Sequence, residues 1–342
     1  MTDGVDLERL GQWMDDSGLP AGPITDVQPL AGGTQNILLR FERGGQRYVL
    51  RRPPVNKRDN SDETMRREAR VLAALATSDV PHPRLIAACG DVDVLGAAFY
   101  LMEPIDGVNP TVELPQHYRD DAEWRHGLGL AMADGAAAVG AVDHVAVGLA
   151  DLGRPDGYLE RQVARWQRQL ASYSQLDGYD APHIPGVEAV GKWLDDNRPT
   201  SWRPGLIHGD YHLANVLAAP DRPGLAAIVD WELTTIGDPL LDLGWLLATW
   251  PDDDGVTVGA APVSPWDGFP SAPELVTRYA ERSDRDLSAI GWYEVLACYK
   301  LGIILEGTHA RAAAGLAPKE TGDRLHATTV ALFARARARI AA

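Results

Sequence analysis

Cysteine is nearly absent from this 342-residue chain: Cys89 and Cys298 stand far apart, each in an apolar segment, which excludes a disulfide framework and a thiolate zinc site. Both read as packing residues. Positive charge is also scarce. Lys and Arg number 32 against 48 Asp and Glu, and the formal charge of −16 argues against nucleic acid or anionic membrane as a partner. It suits cationic small molecules, or serves solubility alone. No run of about 18 apolar residues marks a membrane span. The start MTDGVDLERL lacks the basic and apolar regions of a secretory signal, so a cytoplasmic protein is expected. Internal repeats are missing too, and the nearest approach to low complexity is the Pro, Gly and Asp-rich stretch 251–273, read as a long loop or lid.

What is present suffices for real cores, with 45% hydrophobic residues and a length that fits two domains or one bilobal unit. Ile37, Leu39 and Phe41 alternate with their neighbours, and Arg43-Gly44-Gly45-Gln46 turns the chain into 47–52, which predicts a hairpin after the Gly32-Gly33 pair. A helix over 62–77, with Met65, Leu72 and Leu75 on one face, precedes strands over 85–89 and 97–102. Beyond Ile105-Asp106-Gly107 the pattern turns helical, over 117–142, 158–173, 187–197, 238–250, 274–282, 287–314 and 321–340. Short strands over 205–208, 216–218 and 226–230 interrupt it. The expected class is α+β, with an antiparallel-sheet lobe over 1–103 and a mainly helical lobe over 104–342.

The chemistry concentrates in Leu206-Ile207-His208-Gly209-Asp210-Tyr211-His212-Leu213-Ala214-Asn215-Val216-Leu217 and in Ile228-Val229-Asp230-Trp231-Glu232, where apolar strands flank a polar loop. Asp210 can accept or orient a hydroxyl proton. An amide oxygen at Asn215 and a carboxylate at Asp230 can hold Mg²⁺, so the set provides the positioning and charge neutralisation that phosphoryl transfer needs. The spacing is that of the protein-kinase catalytic loop, H-x-D-x-x-x-x-N, with Asp230 in the place of the metal-binding Asp of D-F-G. An isolated His-Gly-Asp could be a capped turn; the conjunction with Asn215 and Asp230 supplies the specificity. His208 reads as structural, and His212 is left open.

His-Gly-Asp-x-His-x-x-Asn followed by Asp-Trp-Glu and Gly-Asp-Pro closely resembles the aminoglycoside phosphotransferase family of small-molecule kinases, over about 27–250. That resemblance implies a bilobal protein-kinase-like fold, with ATP and Mg²⁺ as cofactors. Gly32-Gly33-Thr34-Gln35-Asn36, Tyr48-Val49-Leu50-Arg51-Arg52-Pro53-Pro54, Arg67-Glu68 and Phe99-Tyr100-Leu101-Met102-Glu103 look most like the branch of kinase domains fused to acyl-CoA dehydrogenases. Gly32, Gly33, Thr34, Gln35 and Asn36 would then cover the β- and γ-phosphates, although two glycines before a strand are often only a turn.

Kinases place a phosphate-gripping Lys on the third strand, where this chain offers Arg51 and Arg52. Val49 and Arg51 share a face of the pleat, so Val49 is expected over adenine and Arg51 on phosphate, with a planar fork in place of an ammonium. Glu68, on the otherwise apolar face of its helix, is the expected partner of Arg51. Met102-Glu103-Pro104-Ile105 resembles the interlobe hinge, with the Ile105 N–H as adenine donor, and an ordinary strand exit fits the same residues. Gly237-Asp238-Pro239 reads as a helix start, and by resemblance Asp242 would brace the catalytic loop.

The expected function is transfer of the γ-phosphate of ATP to the hydroxyl of a small molecule. A non-catalytic nucleotide-binding module is the rival, and a protein kinase fits less well because no A-P-E segment follows Asp230. The acidic balance fits an aminoglycoside or amino alcohol as acceptor; the branch resemblance points to a hydroxyacyl-CoA. The Pro-rich loop and the helices bearing Trp292, Tyr293, Glu294, Tyr299 and Glu306 are expected to shape the acceptor pocket, while most of the aromatics themselves read better as core packing.

Overall fold

The computed structural model describes residues 4–30, 36–180, 184–252 and 257–341. The chain opens with helix α1 (Leu7–Asp16), whose N-cap Asp6 accepts from the Glu8 and Arg9 N–H groups. Strands β1 (Thr25–Pro29), β2 (Ile37–Arg43) and β3 (Gln46–Arg52) follow, then α2 (Ser61–Leu75), β4 (Leu85–Cys89), the short α3 (Val92–Leu95) and β5 (Phe99–Met102). The five strands form one antiparallel sheet in the order β1-β2-β3-β5-β4. Gly44 and Gly45, at φ 58° and 76°, make the two-residue turn between β2 and β3, a geometry that favours glycine at both positions.

The pleat divides the sheet's faces. Leu39, Phe41, Tyr48 and Leu50 are fully buried together with Leu10 and Met14 of α1, which closes the outer face. The opposite set, Leu38, Arg40, Val49 and Arg51, is left for the site. Neither α1 nor β1 is among the elements expected from the sequence. β1 is an edge strand carrying Asp and Pro, residues that strands ordinarily avoid, and only Val27 of its side chains packs on the core, so pairing with β2 holds it.

After Met102 the chain becomes helical: α4 (Gln116–Asp120), α5 (Ala122–Ala141), α6 (Gln162–Ser172) and α7 (Val187–Asp196). The single helix expected over 117–142 is broken at Asp121, which leaves the helical region and caps α5 by accepting from the Glu123 N–H. Four short strands then pair as β6 (Gly205–Ile207) with β9 (Thr235–Gly237) and β7 (Val216–Ala218) with β8 (Leu225–Ile228). Helices α8 (Leu240–Thr249), α9 (Ala272–Arg282), α10 (Ile290–Ala313) and α11 (Lys319–Ala341) complete the lobe. The architecture is the bilobal α+β fold of the protein kinases. No described helix is long and apolar enough to cross a membrane.

Helix α10 runs through the centre of the second lobe, packed against both α8 and α11. Trp292, Tyr293, Tyr299 and Glu306 are buried in this interior and Glu294 is nearly so, paired with Arg339. These five belong to the core, which is the reading held for most of the aromatics; the expectation that Glu294 and Glu306 shape the acceptor pocket is corrected. Between 251 and 273, Trp266 and Phe269 stack on each other and pack edge-on to Trp250, so part of the expected loop is anchored to the core. Gly244 sets the α8–α10 approach, because a Cβ there would lie 2.6 Å from the Tyr293 carbonyl carbon. Backbone cannot swing aside as a side chain can. Gly244→Ala is therefore expected to lower unfolding free energy by about 1–3 kcal/mol, measured as a lower urea midpoint at unchanged slope.

Candidate active site

The catalytic segment owes its shape to two strand pairs. β6 delivers the chain to His208, whose buried Nε2–H donates to the Val229 carbonyl (2.9 Å) while Nδ1 accepts from the Asp210 N–H (3.3 Å). His208 thus holds the loop from within and does not line the cavity. Asp242, buried in the first turn of α8, accepts from the N–H groups of His208 (2.6 Å) and Gly209 (2.9 Å), which braces the loop from below. The neighbouring Asp238 takes the Leu240 N–H, although Pro239, expected at the first helical position, stands one place before α8.

In the β7–β8 pair Val216 lies opposite Ile228, and the Val229 N–H donates to the Asn215 carbonyl (2.9 Å). This register brings Asn215 and Asp230 to the same end of the ribbon. The Asn215 amide nitrogen donates to the Asp210 carbonyl (2.9 Å) and carboxylate (3.0 Å), leaving the amide oxygen as a ligand atom. His212 faces the Asp210 carboxylate at 3.3 Å. Burial alone would raise the Asp210 carboxyl, but the His212 hydrogen bond and nearby positive groups, Lys300 among them, bring it down to about 2. Asp210 is therefore a carboxylate at any working pH.

Asp230 adopts the left-handed conformation, φ 67° and ψ 64°, a strained backbone for a non-glycine residue. Arg51 bonds Glu68 (2.9 Å) and Asp230 (2.7 Å), so one guanidinium ties the sheet, α2 and the catalytic segment together. Tyr100 donates to the other Glu68 oxygen (3.2 Å). Carboxylate oxygens of Glu68, Asp230 and Glu232 lie within 4.8 Å of one another. Burial pushes the Glu68 carboxyl up to about 7, Arg51 opposes it, and the neighbouring Asp230 and Glu232 add repulsion. Burial and Asp230 likewise raise Glu232. One guanidinium against three carboxylates leaves negative charge in excess. With the Asn215 amide oxygen beside them, these hard oxygen donors fit Mg²⁺.

Above this group a cavity of about 370 Å³ separates the lobes. Leu38, Val49, Met102, Leu217 and Val229 are among its apolar walls, and Asn36, Arg51, Asn215, Asp230 and Glu232 are among its polar residues. It is large enough for a nucleotide and suited to a flat ring between apolar walls. Glu103, Pro104 and Ile105 border it. The Glu103 N–H is taken by the Arg84 carbonyl (2.9 Å), whereas no backbone acceptor takes the Ile105 N–H among the described residues. Gly32, Gly33, Thr34 and Gln35 lie outside the described residues.

Sequence reasoning missed Lys300. Its ammonium, on α10, donates to the Gly209 carbonyl (2.9 Å) and sits 4.3 Å from the Trp245 ring centroid. It borders another cavity, of about 230 Å³, whose walls include Gly209 of the catalytic loop with Tyr158, Arg165, Trp166, Trp245 and Ile304. The signal was a single Lys inside an apolar helix, in Ala297-Cys298-Tyr299-Lys300-Leu301-Gly302-Ile303.

The model of the phosphotransferase enzyme family matches residues 26–295. Acyl-CoA dehydrogenase family member 11 of Gallus gallus is 32% identical over 88% of this chain, and the probable acyl-CoA dehydrogenase IBR3 of Arabidopsis thaliana is 31% identical over 90%. The chain spans only 38% and 39% of those relatives' own length. A crystal structure assigned as an aminoglycoside phosphotransferase of Ralstonia eutropha superposes with a TM-score of 0.80 at 28% identity, over 97% of this chain and 98% of that one. A thermostable mutant of aminoglycoside phosphotransferase APH(4)-Ia, in ternary complex with AMP-PNP and hygromycin B, shares the fold at 16% identity and a TM-score of 0.61, over 96% and 98% of the two chains. The catalytic segment, the lobe arrangement and the matched family model together place this chain in the phosphotransferase enzyme family, among its small-molecule kinases.

Proposed function

We propose that this chain transfers the γ-phosphate of Mg-ATP to a hydroxyl of a small, hydroxylated molecule. The observation that carries the reading is Asn215, which bonds the Asp210 carboxylate and lines, with Asp230, Arg51 and Ile105, one cavity. Asp210 accepts or orients the acceptor's proton. Asn215 and Asp230 would hold Mg²⁺, which when bound neutralises charge on the phosphates. Arg51 binds phosphate with Glu68 behind it, and Val49 and Met102 enclose the base. AMP-PNP bound to the fold relative supports an adenine nucleotide as donor.

The cavity beside Lys300 is the proposed acceptor site. Its charged groups are Arg165 and Lys300, together with Asp242, whose two oxygens are committed to the loop backbone. Two cations among Tyr158, Trp166 and Trp245 favour a neutral or anionic acceptor with apolar surface over a polycationic aminoglycoside. This choice goes against the overall charge of −16, because the local charges are those the acceptor meets. The hydroxyacyl class indicated by the branch resemblance fits that charge pattern.

An ATP-consumption screen over aminoglycosides, amino alcohols, sugars and hydroxyacyl thioesters, with Asp210→Asn as blank, tests the assignment. Consumption with a neutral or anionic hydroxylated acceptor is expected. ATP hydrolysis without transfer to any acceptor would favour the nucleotide-binding module instead. Lys300→Met removes a charged hydrogen-bond donor, an interaction of about 1.5–3 kcal/mol. It is expected to raise the KM for an anionic acceptor about tenfold or more, with the KM for ATP unchanged.

A further inference from the structure

Helices α10 and α11 bring a second polar cluster together, away from the nucleotide cavity. Glu306 and His309 stand one turn apart on α10 and His326 faces them from α11, one ligand atom of each lying within 4.8 Å of the others. Glu306 is fully buried, its carboxylate accepting from the Tyr179 hydroxyl (2.8 Å) and meeting His326 Nδ1 (2.7 Å). These contacts satisfy Glu306 as an ordinary buried carboxylate. They do not account for His309. Its Nδ1 is buried without a hydrogen-bond partner among the described residues, and the nearest carboxylate recorded beside it is Asp323, at 3.9 Å. Leaving a buried polar atom unpaired costs about 1–3 kcal/mol, and this one lies beside a carboxylate and a second imidazole.

We propose that Glu306, His309 and His326 form a binding site for a divalent transition-metal ion of the Zn²⁺ type. Two neutral imidazoles and one carboxylate suit Zn²⁺ and suit Mg²⁺ poorly, which separates this site chemically from the oxygen donors around Asp230. The ring centroids of His309 and His326 are 4.7 Å apart, and ligand bonds of about 2.0–2.2 Å require the three groups to draw inward by side-chain rotation. For Nδ1 to ligate, His326 shifts its single proton from Nδ1, where it now faces Glu306, to Nε2 by exchange with water, and the ring stays neutral. The imidazole side chains are 21% and 25% exposed, so an ion reaches them from water, with Asp323 adding negative charge at the opening. The bound ion would fasten α11 to α10.

Co²⁺ is the probe, because tetrahedral coordination by nitrogen and oxygen gives it visible absorption bands. Chelator-stripped protein is titrated with Co²⁺ in excess Mg²⁺, followed by absorbance and by thermal midpoint. One equivalent bound with visible bands and a raised midpoint is expected for wild type. His309→Ala and His326→Ala should each weaken binding at least about tenfold, while Asp230→Asn keeps the bands. No uptake by wild type, equal uptake by His309→Ala, or bands lost only in Asp230→Asn would each overturn the site. His309→Ala is the decisive variant, since its Nδ1 makes no hydrogen bond among the described residues; circular dichroism of the metal-free form verifies its fold.

Discussion

Asp210→Asn is expected to lower kcat by about 10²–10⁴-fold, with the KM for ATP unchanged, in a coupled assay with the acceptor identified by the screen. The substitution keeps shape, and the amide oxygen can still accept from Asn215, so the loop that Asp242 and His208 brace stays in place. What it removes is the charge proposed to take the hydroxyl proton. Because the Asp210 carboxyl is held at about 2, below the 3.8 of a free side chain, its ionised form persists as pH falls through the ordinary carboxylate range. The acid limb of the wild-type rate profile should therefore come from another group. An Asp210→Asn enzyme at wild-type rate would remove the catalytic assignment altogether.

Asp230→Asn is expected to abolish the dependence of nucleotide binding on Mg²⁺ and to lower kcat/KM by about a hundredfold or more. Alanine is the poorer choice here. The backbone at φ 67° lies where Asn is one of the few non-glycine residues commonly found, so the amide preserves the turn and the measurement reads charge rather than strain. Nucleotide binding followed by fluorescence with and without Mg²⁺ checks it. Wild-type stimulation by Mg²⁺ in this variant would transfer the cation to the neighbouring Glu68 and Glu232.

The catalytic segment was legible because its chemistry is nearly contiguous: polar residues inserted between apolar strands, joined by a ribbon whose short pairing needs no distant information. Glu68 was legible for a related reason, a charge on an otherwise apolar helix face. Arg51 could be placed on the cavity side by the period of the pleat, but its bond to Asp230, across 179 residues, has no local signature. Helix α10 defeated the same reasoning. It is buried against α8 and α11, so no polar stripe marks an outer face, and Trp292, Tyr293 and Tyr299 could not be told from pocket walls by spacing. Lys300 was hidden in that uniform run. β9, three residues long, is held by pairing with β6 and carries no alternation of its own.

The Arg51 bridge couples two equilibria. Its guanidinium lines the nucleotide cavity while gripping Asp230, so a phosphate and that carboxylate compete for one cation. A phosphate engaging Arg51 would loosen Asp230, and a metal ion taken by Asp230 would loosen Arg51. Linkage then requires each ligand to raise the affinity for the other by the same factor. Under the proposed function the pair would work as an exchange of counter-ions, in which neither free nucleotide nor free metal is favoured alone and their complex meets a site that each half has prepared for the other.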